Sequence, residues 1–258
     1  VHCHSFVTPS VLTAFKALLY RYTGQNDICL GTPIANRNYG ETEGLIGMFV
    51  NTLALRSQVD GDDTFVALLA KVKATCLEAY DNQDAPFPKV VDIVQPPRNP
   101  AISPLFQVLF ILQSAYMGIL DEKTQRYFLD TGLAKYDLTV EFLETSEGLD
   151  GVMEYSTALF MPQTIARMVE HFTTLCRAIA ANPTARLCDL DYIGETAKDH
   201  LLVDFNATDA GYPKGECLHQ LFIDQVARHS GETAIVCGDE RLTYQQLYDR
   251  SQDLALYL

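Results

Sequence analysis

The sequence predicts an α/β protein, and three observations carry that prediction. Apolar residues recur at helical spacing in several stretches long enough for helices. Between them lie short apolar runs of strand length, one of which alternates apolar with polar. The two kinds of segment are interleaved along the chain, the order expected when helices pack on a sheet. Hydrophobic residues make up 48% of the sequence and charged residues 20%, enough apolar material for a core. A length of 258 residues fits one large unit plus a partial one, and no internal repeat is visible. The first residue is Val, and the closing LTYQQLYDRSQDLALYL stops inside a helical pattern, so we expect a piece of a longer protein.

The first helix is signposted by Thr8 as a cap and Pro9 in the first turn. Val11, Leu12, Phe15, Leu18, Leu19 and Tyr22 form its stripe, and Gly24 ends it. Asp27 to Gly31 is a short strand. A second helix runs from about Thr64 to Tyr80, with Phe65, Leu68, Leu69, Val72 and Cys76 on one face. LFQVLFIL, from Leu105 to Leu112, reads as a strand buried on both faces. DLTVEFL alternates Leu138, Val140 and Phe142, and SEGLDG leads from it into GVMEY as a hairpin. A long helix follows with Ile165, Met168, Val169, Phe172, Leu175 and Ile179 in register. Asn182-Pro183 ends it, because the residue before Pro is pushed out of the helical region. From Ile193 to Gly215 the chain turns polar and turn-rich and reads as a linker. After it comes a helix with Leu218, Leu221, Phe222 and Val226, the strand AIVCG, a turn at GDER, and a last helix.

Charge and cysteine usage exclude several classes. The formal net charge of −14 would repel a phosphate backbone, so nucleic acid is not an expected partner. No apolar run approaches the roughly 18 residues a membrane span needs. Seven scattered cysteines (Cys3, Cys29, Cys76, Cys176, Cys188, Cys217, Cys237) without a C-x-x-C pair read as reduced thiols of a cytoplasmic protein. His2 and His4 lack the further clustered ligands a metal needs. Tyr212-Pro213-Lys214-Gly215 has no Ser/Thr- and Gly-rich run before it, and no G-x-x-x-x-G-K is present, so no nucleotide or other cofactor site is expected in this chain.

One stretch resists a reading as plain core. GLIGMFVNTLALR, from Gly44 to Arg56, places Asn51 and Thr52 inside an apolar run. On the residues alone, these are polar groups of a strand that must find backbone partners. Gln83, Asp84, Pro86 and Phe87 read likewise as a helix-terminating turn, and Arg98-Asn99-Pro100 as a turn feeding a strand or as the place where Arg98 pairs with a carboxylate.

Taken in order, these segments resemble the core motifs of condensation domains from nonribosomal peptide synthetases. Gly47, Phe49, Val50, Asn51, Thr52 and Arg56 fill a G-x-F-V-N-T-x-x-x-R pattern. NQDAPFP, Asn82 to Pro88, is similar to the family's next motif, with Pro88 where a Glu is usual. RNPAISPLFQVLF from Arg98 is similar to the one after. AKYDLTVEF and the segment from Glu154 to Pro183 resemble the end of such a domain. LLVDFNAT resembles its boundary segment, with Phe205 in place of Trp. LTYQQL, from Leu242, looks like the first core motif of an adenylation domain. The family's H-H-x-x-x-D-G signature has no match in this chain, and His2-Cys3-His4 is not a version of it.

The resemblance implies a chloramphenicol acetyltransferase-like lobe, residues 1–192 being the C-terminal lobe of a condensation domain. Residues 193–216 would then be a linker and 217–258 a truncated adenylation start that binds AMP only when complete. It implies amide formation between aminoacyl or peptidyl thioesters on phosphopantetheine arms, in the synthesis of secondary metabolites such as antibiotics, and no catalytic residue within this piece. The implied partners are the N-terminal lobe and the donor and acceptor carrier domains. ATP and Mg would serve only the rest of the adenylation domain. Phe49, Asn51, Thr52, Gln83, Asp84, Phe87 and Arg98 would line or support the substrate tunnel, with Asn51 facing it and Thr52 structural. Heterocyclization and epimerization domains of the same family, and a non-catalytic interaction lobe, remain open at this point.

Overall fold

The computed structural model describes residues 7–37, 39–97, 99, 102–114, 132–145, 148–211 and 215–258. They form two compact units, the first ending at Leu202 and the second starting at Val203. The first unit thus runs past the expected boundary at 192. His2 and His4, in which no metal site is expected, lie outside the described residues, as do Arg98 and the turn residues 212–214.

In the first unit, helix α1 (Val7–Thr23) leads into strand β1 (Asp27–Ile34), a single helical turn α2 (Gly40–Glu43) and strand β2 (Asn51–Gln58). Helices α3 (Phe65–Asp81) and α4 (Phe87–Val94) precede strands β3 (Val108–Ser114), β4 (Leu138–Glu144) and β5 (Leu149–Tyr155). Helices α5 (Pro162–Ala181) and α6 (Glu195–Leu202) close the unit. The five strands make one mixed sheet in the order β2-β1-β3-β4-β5. β1 pairs antiparallel with β2 from Asp27↔Gln58 to Ile34↔Asn51, and β4 pairs antiparallel with β5. β3 is parallel to both its neighbours, meeting β1 at Gly31↔Leu109.

Alternation along the strands sets the core. Ile28 and Leu30 of β1, Leu53 and Leu55 of β2, and Leu138, Val140 and Phe142 of β4 join one apolar cluster with the stripes of α1, α3 and α5. Phe15, Phe110, Phe142 and Phe172 form its aromatic centre, with neighbouring ring centroids 5.6 to 6.2 Å apart. Thr64 caps α3 through its hydroxyl, which accepts from the Ala67 N–H. Gly24 ends α1 with a left-handed φ of 67° and donates to the Tyr20 carbonyl at 2.8 Å.

Four expectations need correction. Val7 is already helical, so Thr8 sits inside the first turn of α1 and does not cap it. Leu105 is not in a strand: its φ is 68°, Phe106 turns back to the Pro104 carbonyl, and β3 begins only at Val108. Within β3, Phe110 is buried but Val108 and Leu109 are half-buried, so the strand is not covered equally on both faces. The stretch read as linker contains α6, which has no apolar stripe; Lys198 pairs there with Asp191 and Glu195.

The second unit holds a short 3₁₀ turn (Asp204–Asn206), α7 (Leu218–His229), a hairpin of β6 (Thr233–Cys237) and β7 (Glu240–Thr243), and α8 (Tyr244–Tyr257). α8 starts with a capping box between Thr243 and Gln246. Among its described residues only Val226 is a buried hydrophobic, while Leu218, Val236 and Leu256 stand exposed.

Inside the stripe of α1 sits a fully buried cation, Lys16. Its Nζ donates to the Leu55 carbonyl at 2.8 Å and the Ser57 hydroxyl at 2.7 Å, fastening α1 to β2. Burial lowers its pKa from 10.5 to about 8, against the opposing pull of Cys76, Cys29 and Asp27. A fall of that size corresponds to roughly 3 kcal/mol. Between pH 8 and 10.5 the unfolded chain holds this proton more tightly than the folded one. The Lys16 contribution to stability therefore rises with pH through that window and is flat below it. Melting midpoints of the protein and of Lys16→Met, compared at pH 7, 8.5 and 10, should diverge in favour of Lys16 as pH rises. A difference independent of pH would show that Lys16 titrates as an ordinary lysine.

Candidate functional site: the Asn51 junction

β2 begins at Asn51, and that residue joins two segments more than thirty positions apart. Its Nδ2 donates to the Gln83 carbonyl and to the Ala85 carbonyl, both at 2.8 Å. Its Oδ1 accepts from the Phe87 N–H at 3.1 Å. Two acceptors on one side and a donor on the other fix the orientation of the amide. Phe87 is the first residue of α4, whose first-turn N–H groups have no partner inside the helix. Pro86, the N-cap, has no side chain able to accept. Asn51 therefore caps α4 from another element. Pro88 fits the same logic: it removes an N–H that the first turn could not bond.

Of the other expected site residues, Gln83 and Phe87 meet this junction, and Arg98 lies outside the described residues. Gln83 contributes its carbonyl, and its N–H bonds back to the Tyr80 carbonyl at the end of α3. Asp84 lies exposed at the tip of the turn. Thr52 pairs with Pro33 across the β1–β2 ladder. The Phe87 ring lies 5.5 Å from Phe106, which stacks on Tyr136 at 5.7 Å. Phe106 in turn lies over β1: a Cβ on Gly31 would come within 2.1 Å of its ring, so only glycine fits there. Arg56, the last residue of the motif, grips Asp27 through three guanidinium bonds of 2.9, 3.1 and 2.6 Å and holds that carboxyl below the usual range. Phe49 lies under the Arg37 guanidinium, 4.3 Å from ring centroid to cation. Neither Arg37 nor Phe106 was singled out in the sequence, although Arg37 sits in the polar run Asn36-Arg37-Asn38 just before the motif.

Of the two roles open for Asn51, the supporting one thus has a geometry, since its donors and its acceptor all meet backbone. Around the junction, Ile46 and Met48 are 105% and 92% exposed, and Leu45, Val50, Ile93 and Ile102 are exposed as well. Beside it, a cleft of about 1040 Å³ runs between the end of α4 and the 95–107 segment. Its walls combine Val91, Ile102, Leu105 and three prolines with Asp92, Gln95, Asn99, Ser103 and Gln107, and the Gln107 amide donates to the Ser103 carbonyl at 3.1 Å. The described histidines, at 171, 200, 219 and 229, lie on none of these segments, and no cluster able to hold a metal occurs among the described residues.

The clamp predicts an order of stabilities. Asn51→Ala leaves two carbonyls and an N–H without their partner and should cost about 1–3 kcal/mol in chemical denaturation. Asn51→Asp keeps the acceptor for Phe87 but sets a carboxylate oxygen against two carbonyls, and should cost more than alanine. An aspartate variant as stable as the parent would show that the two donor bonds are not made.

A condensation-domain family profile matches residues 7–202. A linear gramicidin synthase of Brevibacillus parabrevis is 42% identical over 254 residues, covering 96% of this chain. Surfactin synthase subunit 1 of Bacillus subtilis is 40% identical over 248 residues, covering 95%. The chain spans only 5% and 7% of the length of these two proteins. Among solved structures, the four-domain nonribosomal peptide synthetase AB3403 bound to AMP and glycine superposes with a TM-score of 0.81 at 23% identity, over 97% of this chain and 20% of that one. The first condensation domain of the CDA synthetase gives 0.59 at 18% identity, over 72% of this chain and 42% of the other. At these identities the structural likeness establishes the chloramphenicol acetyltransferase-like α/β fold. With the family profile spanning three quarters of the sequence, the chain belongs to the condensation-domain family of nonribosomal peptide synthetases.

Proposed function

We propose that this chain is the C-terminal lobe of a condensation domain that forms peptide bonds between carrier-bound thioesters, followed by the start of an adenylation domain. The observation that carries the reading is the family match over residues 7–202, which includes the 44–56 motif folded as a loop and strand around Asn51. The alignment to the gramicidin synthase takes in 96% of the chain and so extends past Leu202 into the second unit. The matched fold corresponds to 42% of the CDA condensation domain, in keeping with one lobe of two.

In this reading the acceptor amine attacks the donor thioester carbonyl, the tetrahedral intermediate expels the donor thiol, and the amide remains on the acceptor arm. A histidine of the preceding lobe positions or deprotonates the amine, a contribution typically of ~10²–10⁴-fold. This lobe supplies a wall. Asn51 fixes the turn from Gln83 to Phe87, Phe49 and Thr52 flank it, and the neighbouring cleft holds an arm, so that both thioesters stay in register. The exposed Ile46, Met48 and Ile93 meet the N-terminal lobe, because apolar surface of that kind marks a contact. Soluble donor and acceptor carrier domains deliver the substrates, and the synthetase works in the cytoplasm.

Single-turnover dipeptide formation between loaded carriers tests this. A polypeptide with the preceding lobe restored should form the amide, and this chain alone should form none. Product from the chain alone would overturn the division of labour. A heterocycle from the restored protein would reassign it to a heterocyclization domain, and a folded two-lobe protein that binds carriers without reacting would make it an interaction module.

A further inference from the structure

Arg37 follows β1 by three residues, and its guanidinium reaches into the segment ahead of it. Nη1 donates to the Thr42 carbonyl and, at 2.9 Å, to the Leu45 carbonyl. Nη2 donates to the Gly47 carbonyl at 3.3 Å. The same cation lies 4.3 Å from the centroid of the Phe49 ring. Between Tyr39 and Val50 the only regular structure is the single turn of α2, so this backbone has no ladder to bond with. Packing covers little of it: Ile46 and Met48 are almost wholly exposed, and Leu45 and Val50 about half. A loop of that composition would ordinarily fold its side chains inward. Here one cation binds three of its carbonyls.

We propose that Arg37 is a positioning residue for condensation: it holds residues 42–49 in one conformation, so that Phe49 and the start of β2 present a preformed wall to the reacting arms. This rests on the reading of the chain as a condensation-domain lobe. The chemistry calls for arginine specifically. A planar fork with several N–H groups can serve three carbonyls and still lie flat on a ring, whereas an ammonium is a compact point charge that cannot do both. Arg37 and Asn51 then bracket the motif from its two ends, one binding the carbonyls before Phe49 and the other those of the facing turn.

Two variants, Arg37→Lys and Arg37→Ala, separate holding from folding and from function. In this chain, backbone order parameters for residues 44–49 should stand near the rigid value of about 0.85 and fall below about 0.6 in both variants, with Leu30 and Leu55 unmoved. In the polypeptide with the preceding lobe restored, single-turnover condensation should drop at least about tenfold in both variants, at saturating carrier, while apparent carrier affinity changes less than about threefold. Lysine failing to rescue is part of the expectation. A rigid 44–49 segment in either variant would overturn the holding role. A loosened segment with full rate would overturn the positioning role. If the parent itself forms no amide, the reading of function fails, and the order parameters still decide whether Arg37 holds the loop.

Discussion

The amide of Asn51 is the junction on which the rest of the site depends. It is the first residue of an edge strand, and its three hydrogen bonds run to the backbone of a turn thirty-odd residues further along. Each neutral bond contributes only about 1 kcal/mol net. Their weight comes from what they join: the β1–β2 ladder on one side, the end of α3 and the start of α4 on the other. From α4 the connection continues through Phe87 to Phe106 and across Gly31 back to β1, so the path closes on itself.

A closed path of this kind fastens the first unit together where its apolar core does not reach. The core beneath is conventional, an apolar cluster between three helices and one face of the sheet. The rim around Asn51 is built the opposite way, with apolar side chains outward and polar groups turned in to hold the backbone. Arg37 does for the carbonyls of 42–47 what Asn51 does for those of 83 and 85. A surface held in place by its own bonds orders little further chain on binding and keeps more of its contact energy as affinity.

Much of the scaffold was legible in the sequence, and the residues show why the rest was not. α1, α3 and α5 announce themselves by stripes such as Leu12–Phe15–Leu18–Leu19, and the β4–β5 hairpin by its alternation. α4 did not, because Pro86 and Pro88 look like turn residues until one sees that an N-cap and a first helical turn tolerate them. α6 has polar residues on every side and so no stripe to count. In the site, the motifs drew attention to Asn51 and to the turn ending at Phe87, which the structure joins by a hydrogen bond. They did not reveal what Asn51 does, since its partners are backbone atoms, which no letter of the sequence records. Arg37 stayed hidden for the same reason.

Native-state hydrogen exchange at the amide of Phe87 tests the junction most directly, in the unmodified chain. A first-turn N–H capped only by water exchanges freely, whereas one bound to Asn51 opens only when the junction opens. The Phe87 amide should exchange with an opening free energy close to that of the β2 amides such as Leu55. Exchange at the rate of an exposed loop amide, with Leu55 still protected, would contradict it.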